Sequence, residues 1–224
     1  MFFYIFLIPV FLSAMASLRA FRKNWPWPYR SFSLFLFVVL FVEIFAVLWT
    51  AWLHAQFPVA YNAHNGWIYN PFMIIEYLFY VFFFLRVLHL KKLQRKMLTL
   101  FAFLFTVWSI LNMLLVQGIS RLNTYSLLVS SLMVVYLSIS YFLQLLRDRK
   151  IITLTKQPMF WIATGAFFYH LCSIPYFIFL NYTARTNLDL AISLSKIMAV
   201  LNWIMYSSYT IAFLCRKNFQ QSPR

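Results

Sequence analysis

Residues 32–53 read FSLFLFVVLFVEIFAVLWTAWL, with Glu43 the only charged side chain in the run. A helix of that length rises about 33 Å at 1.5 Å per residue, enough to cross the roughly 30 Å hydrocarbon core of a bilayer. Lipid offers no partner for an unpaired backbone group, so a run this apolar reads as a membrane-spanning helix. Segments on either side pass the same test: Phe2–Leu18, Pro71–Leu90, Met97–Gln117, Tyr125–Leu146, Met159–Leu180 and Leu188–Leu214. The expectation is an all-α, polytopic membrane helix bundle of seven transmembrane helices, with residues 1–224 as a single domain.

Composition leads to the same place. Hydrophobic residues make up 63% of the chain and charged residues 10%, whereas an ordinary soluble chain carries about 25% charged. That leaves too little polar surface for a water-soluble globule, and no Pro/Gly/Ser-rich linker divides the chain. Cys172 and Cys215 are the only cysteines, and both fall in or at the end of apolar runs. Neither a disulfide framework nor a CxxC metal pair is implied.

The net charge of +15 raises the question of nucleic acid, but the charges lie in short clusters between apolar runs and no nucleic-acid-binding motif accompanies them. One side of the predicted bundle collects Arg19, Arg22, Lys23 and Arg30, then Lys91, Lys92, Arg95 and Lys96. The same side collects Arg147, Arg149, Lys150 and Lys156, then Arg216, Lys217 and Arg224. The other side holds Arg121 and Arg185. Positive loops stay in the cytoplasm, so the N-terminus is expected outside and the C-terminus inside, in a bacterial inner membrane. The basic loops would then face anionic lipid headgroups. Ala14-Met15-Ala16 resembles a signal-peptide cleavage site, but the charges follow the apolar run instead of preceding it, so an uncleaved first helix is expected. The outside segment His54–Asn70, with Tyr61, His64, Trp67 and Tyr69, reads as interfacial aromatics or as a lid.

Ionisable groups within spans are costly, about 2.5–3.5 kcal/mol at the bilayer centre on insertion scales, which makes them site candidates. They are Glu43 in the second span, Glu76 in the third, His170 in the sixth and Lys196 in the seventh. Counted from the outer helix ends they share a layer roughly 7–15 Å deep. Lys196 is expected to pair with an acid, Glu76 ahead of Glu43, either as a structural bridge or as part of a binding site. Ser195, Asn202, Tyr206 and Tyr209 form a polar stripe on the last helix, which must face other helices or a cavity. Pro175 follows His170 by five residues and frees a backbone carbonyl nearby. Ser126 and Ser130, and Ala163, Gly165 and Ala166, read as close-packing surfaces. The expected ligand-binding set is Glu43, Glu76, His170, Lys196, Asn202 and Tyr206, with no metal.

No HExxH, GxSxG or paired-aspartate motif occurs, which leans away from an enzyme. A transporter or proton-coupled conduit is the alternative to a sensor, although no internal repeat supports it. A retinal protein with its Schiff base on Lys196 and Glu76 as counterion is a lesser alternative. It is weakened by Ile192, four residues before Lys196, where microbial opsins carry an acid.

Three segments carry a family resemblance: Ile75-Glu76-Tyr77-Leu78-Phe79-Tyr80, Phe160-Trp161 with Gly165 and Tyr169, and Asn202 to Tyr206 followed by Phe213 to Lys217. Together they resemble small seven-helix bacterial membrane proteins, which are similar in layout to the membrane sensor modules of seven-helix receptor histidine kinases. The resemblance implies a sensor or receptor-like module. Because this sequence carries no kinase or other output domain, such a sensor would act through a cytoplasmic signalling partner.

Overall fold

The computed structural model describes residues 5–22, 25–52, 65–119, 122–147, 154–186 and 188–215. Seven α-helices run through them: α1 (Leu7–Ser17), α2 (Trp27–Ala51), α3 (Gly66–Val87), α4 (Lys92–Leu111), α5 (Thr124–Arg147), α6 (Pro158–Thr186) and α7 (Leu188–Leu214). A π-helical turn, Asn112–Val116, extends α4, and a 3-10 turn, Leu18–Phe21, extends α1.

Six of these helices, α2 to α7, are long and apolar enough to cross a membrane. Their outer faces carry exposed Leu, Ile, Val and Phe in numbers that water would not tolerate, with Leu115 at 77% exposure and Phe103 at 63%. The chain is built as a multi-pass helical bundle for a lipid surround. Among the described residues the apolar stretch Leu7–Phe21 is shorter and accounts for about 24 Å of the roughly 30 Å core.

Helix bounds depart from the expected spans mainly at their N-terminal ends. α2 starts at Trp27, behind Pro26 and with Pro28 in its first turn, where a missing N–H costs nothing. α3 starts at Gly66, a turn before Pro71, which sits inside the helix on an exposed face. Gly66 to Asn70 are therefore helical and not part of an outside loop. Apolarity marks only the stretch that lipid wets, and a helix continues beyond it while its own hydrogen bonds are met. α7 keeps the expected bounds. Tyr61, His64, Lys23, Arg121, Arg149, Lys150 and the tail from Arg216 to Arg224 lie outside the described residues, as does the side chain of Arg185.

The packing order closes a ring. α1 packs on α2 and α7, α2 on α3, α3 on α5, α5 on α6, and α6 on α7. α4 stands outside that ring against α3. At the α1–α2 contact the Ser17 and Ser33 hydroxyls share a hydrogen bond of 2.7 Å. Toward the end where α2 starts, the ring is filled by aromatics: Phe35 stacks on Phe79 at 4.0 Å between centroids, and Phe32 meets Tyr209 edge-on at 5.1 Å. Tyr80 and Tyr209 join their hydroxyls at 2.6 Å across α3 and α7.

Candidate functional site

Toward the opposite end the ring does not close on itself, and it holds a cavity of about 370 Å³. Small-molecule sites usually run from about 300 to 1,000 Å³. The wall takes Glu43 from α2, and Asn70, Met73 and Glu76 from α3. Leu127 of α5 and Tyr169, Tyr176 and Phe177 of α6 continue it, and α7 supplies Ser195, Lys196, Asn202 and Tyr206. Glu43, Tyr176 and Phe177 fall in the later part of α2 and α6, and Asn70, Met73, Leu127, Ser195 and Lys196 in the earlier part of α3, α5 and α7, while Tyr169, Asn202 and Tyr206 carry the cavity past the middle of α6 and α7. The cavity thus runs from one end of the bundle into its middle, away from the ends that carry Arg30, Lys92 and Arg147.

Five of the six residues singled out from sequence meet here: Glu43, Glu76, Lys196, Asn202 and Tyr206. The sixth, His170, does not reach this cavity. It lines a separate void of about 30 Å³ between α3, α5 and α6, and Glu76 lines both spaces. His170 is buried edge-on to Tyr80 and Tyr169, with Nδ1 3.3 Å from the Ser131 hydroxyl and no partner for Nε2 among the described residues. Beyond Pro175, α6 stays continuous, and the Ser173 hydroxyl donates to the His170 carbonyl at 2.9 Å.

The carboxyl groups differ in their surroundings. Glu43 accepts a hydrogen bond from the Tyr69 hydroxyl at 2.8 Å. Glu76 has no hydrogen-bond or ion-pair partner among the described residues. The expected Lys196 ion pair is not formed with either acid among the described residues. Lys196 is instead exposed at the cavity wall. Its long stem lets the ammonium reach a wet space without a fixed partner. Tyr206 is only 5% exposed, faces the cavity and has no bond to its hydroxyl among the described residues.

The polar stripe on α7 divides by depth. Ser195, Asn202 and Tyr206 face the cavity, whereas Tyr209 sits below it, bonded to Tyr80. Tyr69 was not among the sequence candidates, because Pro71 had the look of a helix start and left Tyr69 in a loop. Tyr169 enters the sequence reading only through the family resemblance and not as a site residue, and Tyr176 and Phe177 give no signal above the general aromatic richness of the chain, 22%.

A second polar cluster holds the cavity's α3 wall in place. Asn70 donates to the Ile119 carbonyl at 3.1 Å and accepts from the Asn123 backbone N–H at 2.8 Å. Asn123 in turn bonds Asn112 within the π turn of α4, and Gln117 bonds Thr124 at 3.1 Å. Backbone polar groups at this bend are thereby satisfied by side chains where lipid could not serve. Compared with known proteins, the chain matches no protein family, no curated protein and no solved structure.

Proposed function

We propose that this chain is a membrane receptor-like module that binds a small ligand in its inter-helix cavity and passes the bound state to a cytoplasmic partner. In this reading α1 completes a seven-span bundle with the N-terminus outside, in a bacterial inner membrane. The positive-inside rule then puts the cavity in the outer half, because the basic clusters lie at the other end. The layout resembles the sensor modules of receptor histidine kinases.

One observation carries the reading: the cavity of about 370 Å³ gathers both glutamates, Lys196, Asn202 and Tyr206 against aromatic walls. Polar groups of this kind inside a membrane domain are too costly to cluster without a role. A ligand that favours one helix packing over another would shift the bundle between states.

The test fills the cavity. Ala199 lines it, and Ala199→Trp should occupy its volume from one wall. The protein in nanodiscs is screened for thermal stabilisation by a panel of small cations, anions, zwitterions and neutral aromatics. The expected result is a class of compounds that stabilises the native protein but not the filled variant. Stabilisation by no compound, or equal stabilisation of both proteins, overturns the reading. Flux of the stabilising compound into proteoliposomes would mark transport instead of reception.

A further inference from the structure

The chemistry of the cavity narrows the ligand class, an inference that rests on the ligand-site reading above. The chain has 4 acidic residues against 19 basic ones, and its only two glutamates, Glu43 and Glu76, line this one space. Glu76 is unpartnered among the described residues, and so is the hydroxyl of the nine-tenths-buried Tyr206. Around these acids stand the rings of Tyr69, Phe72, Tyr169, Tyr176, Phe177 and Tyr206. Aromatic faces attract a positive charge through their quadrupoles, most of all once it has left water.

We propose that the cavity binds a small organic cation, a protonated amine or a quaternary ammonium, with its charge on Glu43 and Glu76 and its apolar groups among the rings. A bare metal ion fits poorly: the space is far larger than one ion, and no group of three His, Cys, Asp or Glu able to hold a metal occurs among the described residues. An anion would have to sit beside two carboxyl groups with Lys196 as its one cationic contact on the wall among the described residues. The Lys196 ammonium, free of any ion pair among the described residues, stands on the same wall, where its charge opposes a bound cation and competes with it for the acids.

That competition fixes the sign of the test. Benzyltrimethylammonium is titrated against the protein in phosphatidylglycerol nanodiscs, with neutral tert-butylbenzene and anionic benzenesulfonate as controls. The cation is expected to bind and the controls to bind at least about tenfold more weakly. Glu76→Gln should weaken the cation by about tenfold or more, and Lys196→Met should tighten it by removing the competing charge. Weaker cation binding by Lys196→Met, or equal binding of all three probes with no effect of Glu76→Gln, overturns the cation assignment but leaves the cavity as a ligand site. Binding of none of the probes, nor of any compound in the wider panel, overturns both. Repeating the titration in phosphatidylglycerol nanodiscs of equal surface charge, diluted either with an uncharged glycolipid or with phosphatidylcholine, separates two sources of the same chemistry, because an anionic surface by itself concentrates a cationic probe. A lower apparent affinity with phosphatidylcholine than with the glycolipid identifies a lipid ammonium headgroup as the resident ligand, and an equal one identifies a free amine.

Discussion

At Gly165, α6 lies tight against α7. A Cβ placed there would lie 2.9 Å from the Cβ of Ser208, 3.0 Å from the Met205 carbonyl oxygen and 3.2 Å from Cε1 of Tyr209. Alanine is the better helix former by about 1 kcal/mol, so propensity alone would make Gly165→Ala stabilising. The contact outweighs it, and Gly165→Ala is expected to cost about 1–3 kcal/mol through overpacking. The readout is a lower melting temperature in detergent, partly restored by adding Ser208→Gly. An unchanged or raised melting temperature would contradict the close contact. The sequence already marked this position, because small residues are where membrane helices approach. It marked the acids, Asn202 and Tyr206 for a related reason, their cost in lipid. What it could not supply was lateral position. Depth along one helix does not say which neighbour a side chain meets, so His170 was grouped with acids that it does not join in the main cavity.

At the scale of elements, α4 is the helix least held by the bundle. It stands outside the ring, and its tie to α3 and α5 runs through Asn70, Asn112, Asn123 and Gln117. Asn123 is the centre of that knot, since it serves both Asn70 and Asn112 while its own Nδ2 donates to the Ser109 carbonyl at 3.3 Å. Asn123→Ala removes one partner each from Asn112, which keeps Gln117, and from the Ser109 carbonyl, which keeps the Asn112 N–H, a loss of about 1 kcal/mol for each bond. The expected result is faster hydrogen exchange in the last turns of α4 and the first turn of α5, with protection in α6 and α7 unchanged. Loss of protection throughout would mean that α4 belongs to the cooperative core. None of this was legible beforehand. The spans were visible because lipid demands about 20 apolar residues in a row, but the π turn and the asparagine contacts arise from tertiary packing that leaves no periodic trace.

At the scale of the molecule, charge and cavity are arranged in opposition. The chain carries a formal charge of +15, and a cationic ligand near most of its basic residues would be repelled. Sites lined by one sign of charge gather ligands of the other sign and exclude their own. The cavity lies away from the helix ends that carry Arg30, Lys92 and Arg147, and Glu43 and Glu76 line it with Lys196 as the cationic side chain among the described residues. In the orientation proposed above that end faces outward, and the charge asymmetry that would orient the chain would also open the proposed site to a cation from outside. The orientation can be read with single cysteines in a Cys172→Ala, Cys215→Ala background. Ile119 is exposed just past α4 at the cavity end, and Leu154 is exposed just before α6 at the basic end. A membrane-impermeant maleimide applied to spheroplasts should label Ile119→Cys and leave Leu154→Cys unmodified until the membrane is opened. The reverse pattern would turn the cavity toward the cytoplasm and make its ligand an intracellular one.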